Sequence, residues 1–296
     1  MKNYCRSDLA CEASNDLSHI SGTEYSIENF DICILEKLDI ISPDACEKLN
    51  KKAGRYITFS TPKLQYLDDD DIDLIAKKIG GEIRNLICQC LKLEKIGKDL
   101  SILIVGIGNS KITADAIGPE VVDKITVTRH IKELDLALFN SLKMCTISAF
   151  APNVLGKTGI ESSDMIRAAV NKISPDALIV IDALAARSVE RLARTIQISD
   201  TGITPGSGIG NTRNELSSTT LGIPVIAIGI PTIVDSATLA LDFLASAGIS
   251  DISDEITSSL DAIENFFVTL KESDVITEKS SIMLARALAE AFVIHE

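Results

Sequence analysis

The chain has 296 residues, of which 46% are hydrophobic and only 4% aromatic, and its formal net charge is −13. The composition supplies a large aliphatic core, and the acidity argues against direct binding of nucleic acid, which needs clustered Lys and Arg. The sequence has no secretory h-region and no apolar run long enough to span a bilayer, so it predicts a cytoplasmic protein with no membrane partner. Its seven cysteines include no CxxC pair, and we expect free thiols in a reducing compartment.

The first hundred residues begin with a polar lead-in and continue with mixed structure. Residues 1–30 are rich in Ser, Asp and Asn and have little periodicity, which is typical of a flexible segment. Residues 31–53 can hold a short helix, and residues 56–60 have the pattern of a strand. Residues 69–93 carry apolar side chains at helical spacing behind an acidic run that suits a helix N-terminus.

The rest of the chain alternates apolar runs with amphipathic segments. The predicted strands are residues 100–105, 145–150, 177–181, 195–199 and 224–228. We expect residues 195–199 to be half-exposed. Helices are predicted from about residues 119, 162 and 236, and the last sixty residues are expected to be mostly helical. This alternation predicts an α/β fold in three layers, with a largely parallel or mixed twisted sheet covered by helices on both faces.

Two acidic residues follow predicted buried strands. Asp182 comes directly after one strand, and Asp115 follows the loop G-I-G-N that ends another; Asp235 lies beyond a third. Sites in such sheets form at the carboxyl ends of strands, so we expect these features to converge. Two carboxylates in one site cannot both ionise easily, and such a pair can act as acid and base toward water. On spacing alone, the alternative that Asp115 and Asp182 merely cap a helix and a turn stays open.

Other short patterns point to weaker alternatives. The stretch G-I-G-N-S-K lacks the third glycine of a dinucleotide fingerprint, and no phosphate-binding P-loop motif occurs. Asp200-Thr-Gly matches the signature of pepsin-like proteases, but those folds are all-β, so we expect Asp200 and Gly202 to shape a turn. The three scattered histidines do not form a recognisable metal motif, and the sequence predicts neither a metal nor a cofactor.

Longer motifs resemble the germination protease family of spore-forming Firmicutes. They include VGIGNSKITADAIGPEVVDKITVTRHI (105–131), APNVLGKTGIESSDMI (151–166), SPDALIVIDALAARSVER (174–191), TIQISDTGITPGSGIGNTRNEL (195–216) and LGIPVIAIGIPTIVD (221–235). The resemblance implies a fold like that of hydrogenase maturation endopeptidases. It also implies a homotetrameric endopeptidase that degrades small acid-soluble spore proteins in the spore core during germination. The family motif T-P-D-A-L-G-P is changed here at Ala114 and Ile117, which leaves its aspartate in place.

The resemblance also assigns roles to individual residues. Asp115 and Asp182 match the two essential aspartates, and which of them is the acid and which the base stays open. Position rather than resemblance suggests Arg187, five residues past Asp182, as a candidate for binding an acidic substrate residue or stabilising one carboxylate, and the alternative of a surface arginine stays open. Composition alone makes Gly206 and Gly208, in a glycine-rich loop, candidates for offering backbone N–H groups to an oxyanion.

The N-terminus resembles the segment that this family cuts, although on these six positions alone a chance match of an acidic lead-in stays open. The family's substrates are cut after the first Glu of a segment like T-E-F-A-S-E, and residues 7–12 here are S-D-L-A-C-E. We therefore predict self-cleavage between Asp8 and Leu9, with residues 1–8 as a propeptide and residues 9–296 as a single peptidase domain. Two alternatives are a metal-dependent maturation endopeptidase, for which His130 is the only centrally placed histidine, and a nucleotide-binding regulatory protein.

Overall fold

The strands within the described residues join in one mixed sheet. The computed structural model describes residues 7–14, 16–206, 214–249, 253 and 266–294. The strands are β1 (Thr23–Asn29), β2 (Ile34–Ile40), β3 (Gly54–Ser60), β4 (Ser101–Gly106), β5 (Thr146–Phe150), β6 (Ala177–Ala186), β7 (Thr195–Ser199), β8 (Val225–Asp235) and β9 (Phe267–Val268). Their spatial order is β1-β2-β3-β7-β8-β6-β4-β5, and β9 pairs with β8.

The parallel pairs of the sheet lie in one half of it. Strand β4 runs parallel to β5 and β6, and β6 runs parallel to β8. The pairs on the other side, from β1 through β2, β3 and β7 to β8, are antiparallel. The predicted mixed α/β architecture is therefore confirmed, with its parallel strands confined to the β8-β6-β4-β5 region.

Helices cover both faces of the sheet. They are α1 (Pro43–Leu49), α2 (Asp69–Leu91), α3 (Ile117–Lys124), α4 (Arg129–Leu134), α5 (Leu136–Ser141), α6 (Leu155–Thr158), α7 (Ser162–Ile173), α8 (Ser218–Leu221), α9 (Ser236–Ser246) and α10 (Ser273–Phe292). Alternating side chains of β4 divide between two cores: Ile102 and Ile104 pack with α2, α3 and α10, whereas Leu103 and Val105 pack with α7. In the described part of the chain, no helix is both long and apolar enough to cross a membrane.

Three details of the predicted elements are corrected by the structure. Part of the lead-in is ordered, because β1 pairs along its whole length with β2, and β2 itself was not predicted. Strand β7 is fully buried rather than half-exposed, since Ile196 and Ile198 pack in the core on one face and Gln197 contacts the N-terminal segment on the other. Strands β6 and β8 run several residues beyond their predicted ends. The prediction of free thiols is confirmed for the six cysteines within the described residues.

Two glycines let α3 lie directly against β4. A Cβ on Gly106 would collide with the carbonyl of Gly118, and a Cβ on Gly118 would collide with the carbonyl of Ile107. The obstructing atoms are backbone, so no side chain can move aside to make room. This close approach fixes the start of α3, and with it Asp115, against the end of β4.

A pair of glycine substitutions tests this close approach. Gly118→Ala is expected to lower the free energy of unfolding by at least about 2 kcal/mol, because the added methyl group meets backbone atoms. Gly81→Ala is the matched control, since nothing lies within 4 Å of a Cβ there and α2 gains roughly 0.5–1 kcal/mol from the exchange. Urea unfolding of both variants measures the difference. Equal stability of the two variants would contradict the described packing.

Candidate active site

Asp115 and Asp182 line the same cavity. The cavity has a volume of about 430 Å³, and its walls come from the turn before α3, the second half of β6, the loop after β7 and the region around β9. Asp115 ends a short 3-10 turn formed by Thr113–Asp115. The sequence prediction that these two acids converge is thus matched by the geometry.

The loop after β4 holds Asp115 in place. The backbone N–H of Asn109 donates to Asp115 Oδ2 at 2.9 Å and to the Asp115 carbonyl at 3.0 Å. Gly108 has a φ of +126°, and a Cβ on it would collide with the same carbonyl. The G-I-G-N loop therefore folds around Asp115. Its second glycine, Gly108, is needed for this close contact and not for binding a nucleotide.

Asp182 lies within a strand rather than beyond its end. Its side chain is buried, and Oδ1 accepts a hydrogen bond from the N–H of Ala183 at 2.9 Å. It pairs with Gly229 of β8, which in turn pairs with Gln197 of β7. The sequence prediction placed Asp182 just past the strand because the apolar run stops there, but the pairing of β6 with β8 continues to Ala186.

Asp8 brings a third acidic residue to this cavity. Its backbone N–H donates to the carbonyl of Ala185 at 2.9 Å, and its Oδ2 accepts from the N–H of Ala185 at 2.9 Å. These two bonds attach the N-terminal segment to the second half of β6. Asp8, which the sequence predicted to be a cleavage position, therefore lies against the same cavity as the two candidate catalytic acids.

The following residues continue this docking. We call residues 8–12 the docked segment. Leu9 is fully buried against Leu184, Ala186, Leu192 and Val234. The carboxylate of Glu12 accepts hydrogen bonds from the backbone N–H groups of Arg187 at 2.8 Å and Ser188 at 3.0 Å.

Two side chains that the sequence analysis did not select contact the backbone of the docked segment. Lys51 Nζ donates to the carbonyl of Asp8 at 2.9 Å and to that of Ser7 at 3.1 Å. Gln197 Nε2 donates to the Asp8 carbonyl at 3.2 Å, while Gln197 Oε1 accepts from the N–H of Ala10 at 2.6 Å. Gln197 shares the polar face of the alternating strand T-I-Q-I-S with Thr195 and Ser199, so the sequence alone does not single it out. Nothing local distinguishes Lys51 from its neighbours either.

The remaining candidate residues are placed as follows. Gly206 lines the cavity, whereas Gly208 lies outside the described residues. Arg187 Nε donates to Asp242 Oδ1 at 3.1 Å, and its backbone N–H donates to the carboxylate of Glu12 at 2.8 Å. Its side chain therefore has an acidic partner within the chain.

Neither Asp235 nor Asp200 lines the cavity. Asp235 caps α9 by accepting a hydrogen bond from the N–H of Thr238 at 3.0 Å. Asp200 accepts from the backbone N–H of Arg55 at 2.7 Å and from its Nε at 2.9 Å, which ties the turn after β7 to β3. The expected turn role of Asp200 agrees with these contacts. Across the described ranges, no group of three or more His, Cys, Asp or Glu side chains could hold a metal ion.

Comparison with known proteins decides the family. The family described as Germination protease matches residues 4–249. The chain belongs to the germination protease family. Germination proteases of Clostridium perfringens and Clostridium tetani are 37% and 40% identical to it over 294 and 276 residues, which are 97% and 91% of this chain and 86% and 81% of those proteins. The germination protease of Priestia megaterium is 42% identical over 250 residues, 80% of this chain and 65% of that protein.

Membership of the germination protease family makes the chain a protease. This outcome confirms the predicted enzyme class over the alternative of a nucleotide-binding regulator. A [NiFe] hydrogenase maturation protease HycI from Thermococcus kodakarensis KOD1 has 16% identity and a TM-score of 0.35, covering 64% of this chain and 92% of that one.

Proposed function

We propose that this germination protease is an endopeptidase that cuts small acid-soluble spore proteins in the spore core, and that it first cleaves itself between Asp8 and Leu9. One observation carries the proposal: Asp8, the first residue of the docked segment whose sequence resembles the substrate, lines the same cavity as Asp115 and Asp182. In this reading residues 1–8 are the propeptide and residues 9–296 are the peptidase domain. Assembly into a homotetramer is part of the proposal and follows the family resemblance.

The contacts of the docked segment suggest how substrate is chosen. A large apolar residue after the cut fits the cluster that buries Leu9, and an acidic residue three positions later meets the N–H groups of Arg187 and Ser188. Ala10 is fully buried, so a small residue is required there. These requirements reproduce the order of residues after the cut, which is large apolar, alanine, any residue and acid. Gly206 and Gly208, together with the Arg187 side chain, are proposed as further substrate contacts.

The two carboxylates supply the chemistry in this proposal. The ionised member of the pair takes a proton from water, and the water oxygen attacks the carbonyl carbon. The protonated member polarises the carbonyl and later gives its proton to the leaving amine. A coupled pair titrates as a unit, so the acid and base roles belong to the pair rather than to one named residue.

The self-cleavage can be tested directly on the full chain. Purified protein is incubated at mildly acid pH, and its products are identified by N-terminal sequencing and intact mass. We expect one new chain that begins at Leu9, followed by cleavage of an added T-E-F-A-S-E peptide after its first Glu. Asp182→Asn protein serves as the control for contaminating proteases, and a parallel sample with EDTA tests the metal-dependent alternative. A chain that stays intact or starts at another residue would contradict the proposal.

A further inference from the structure

Two nitrogen donors outside the carboxylate pair converge on one carbonyl oxygen. Lys51 Nζ and Gln197 Nε2 lie 2.9 Å and 3.2 Å from the carbonyl oxygen of Asp8. That oxygen belongs to the peptide group that joins Asp8 to Leu9. We infer that Lys51, assisted by Gln197, stabilises the negative charge that develops on this oxygen during hydrolysis, an inference that rests on the proposed self-cleavage.

The fold aims Lys51 at the segment. Helix α1 ends at Leu49, and Asn50 takes a left-handed conformation with a φ of 50°. The backbone N–H of Lys51 then bonds to the carbonyl of Cys46, which fixes the start of its side chain. Lys48, one turn earlier on α1, is exposed instead.

Gln197 fixes the peptide on both sides of Leu9. Its amide donates to the Asp8 carbonyl and accepts from the N–H of Ala10 at 2.6 Å. In the sheet it lies in the same cross-strand row as Asp182, with Gly229 between them, so both side chains start from the same face. Gln197 thus holds the Asp8 carbonyl by a hydrogen bond. Asp115 and Asp182 line the cavity that Asp8 also lines.

These contacts give the two sets of groups different roles in hydrolysis: Lys51 and Gln197 stabilise the carbonyl oxygen, and the carboxyl pair transfers protons. When the water oxygen bonds to the Asp8 carbonyl carbon, the water proton passes to the ionised carboxylate. The C=O π electrons move onto the oxygen, where the Lys51 ammonium and the Gln197 N–H stabilise them. The C–N bond then breaks, and the Leu9 nitrogen takes a proton from the protonated carboxyl while the C=O bond re-forms. Donors placed at the developing oxyanion act on the transition state more than on the ground state.

The charge of Lys51 gives the inference a pH signature. Burial lowers the pKa of the Lys51 ammonium, and the Asp8 carboxylate opposes this shift. Lysine is charged below its pKa, so the stabilising charge is lost as pH rises through that lowered value. Arginine keeps its charge at much higher pH. The titratable or charged side chains that face Lys51, or line the small cavity beside it, are Asp8, Cys11, Glu12, Lys52 and Tyr56.

The test compares self-cleavage rates of full-length variants. Lys51→Met and Gln197→Leu remove the donors, Lys51→Arg keeps the charge, and Lys48→Met is the matched control at an exposed lysine three positions earlier. Removing an oxyanion donor typically costs roughly 10²–10³ in rate, which we expect for Lys51→Met. Lys48→Met should cleave at the wild-type rate. Lys51→Arg should recover part of the lost rate. Because both proteins share the titration of the carboxyl pair, the ratio of the Lys51→Arg rate to the wild-type rate should rise with pH as Lys51 loses its charge.

A second readout separates catalysis from simple anchoring of the segment. Burial raises the pKa of the Cys11 thiol to about 11, so iodoacetamide should modify Cys11 slowly while the segment is docked. Alkylation of Cys11 is followed by mass spectrometry in an Asp182→Asn background, which keeps the segment attached. We expect Lys51→Met to leave Cys11 as protected as before.

Each outcome of these measurements decides the inference. A Lys51→Met protein that cleaves within about threefold of the wild type would overturn it. So would a loss of cleavage accompanied by rapid alkylation of Cys11, because Lys51 would then only anchor the segment. In both cases the proposed self-cleavage by the wild type still stands. If the wild type itself is not cut between Asp8 and Leu9, the proposed function and this inference fail together.

Discussion

Asp115→Asn and Asp182→Asn are each expected to fold normally and to lose self-cleavage by a factor of roughly 10²–10⁴. The loss corresponds to removal of a positioned acid or base. The fold should survive, because each asparagine side chain still has an oxygen that can accept a hydrogen bond. At position 115 the donor is the N–H of Asn109, and at position 182 it is the N–H of Ala183. Intact mass measured over time gives the rate, and thermal unfolding checks the fold. Because the two groups act as a unit, the double variant should be little slower than either single variant.

Asp200→Asn is the matched control for these substitutions. Asp200 sits in the D-T-G tripeptide that imitates another protease class, yet its carboxylate is engaged with Arg55. The substitution weakens a partly buried ion pair and should lower stability while leaving the cleavage rate within a few-fold of the wild type. Full cleavage by Asp115→Asn or by Asp182→Asn would remove that residue from the proposed mechanism.

The sequence allowed the central part of the fold to be predicted because its signals are local. The continuous apolar runs of β4, β6 and β8 are typical of strands buried on both faces. The acidic N-terminus of α2 and its helical periodicity place that helix correctly from its first residue. The two aspartates could be expected to meet because each follows an apolar strand, and the carboxyl ends of parallel strands share one edge of a sheet.

Features set by tertiary contacts could not be predicted in the same way. Strand β1 is mostly exposed, and its short alternation of Tyr25 and Ile27 with Glu24, Ser26 and Glu28 lies in a polar segment without a continuous apolar run. The length of β6 depends on its pairing with β8, since the apolar run alone ends before Asp182. Lys51 lies 43 residues from Asp8 and reaches it only after α1 has folded back over the segment. A single sequence has no pattern that reports such a contact.

Leu9→Ala is the second substitution with a large expected effect, because Leu9 is the most deeply enclosed side chain of the docked segment. It is fully buried against a cluster that includes Leu184, Leu192 and Val234. Truncating a buried leucine to alanine typically costs 2–5 kcal/mol, and each 1.4 kcal/mol corresponds to a factor of ten in an equilibrium. We expect self-cleavage to slow at least tenfold and Cys11 to be alkylated faster, since the segment spends less time in the cavity.

Leu86→Ala separates this effect from a general loss of stability. Leu86 of α2 is also buried, but it packs in a cluster with Ile83 and Leu284 that includes no residue of the docked segment or of the cavity lining. The substitution should lower the unfolding temperature and leave the cleavage rate nearly unchanged. The reverse pattern, with Leu9→Ala cut at the wild-type rate and Leu86→Ala impaired, would mean that the pocket around Leu9 stabilises the fold without selecting the residue that follows the cut. We also expect Leu9→Asp to be cleaved more slowly than Leu9→Ala, because it places an unpaired charge in the pocket that binds Leu9.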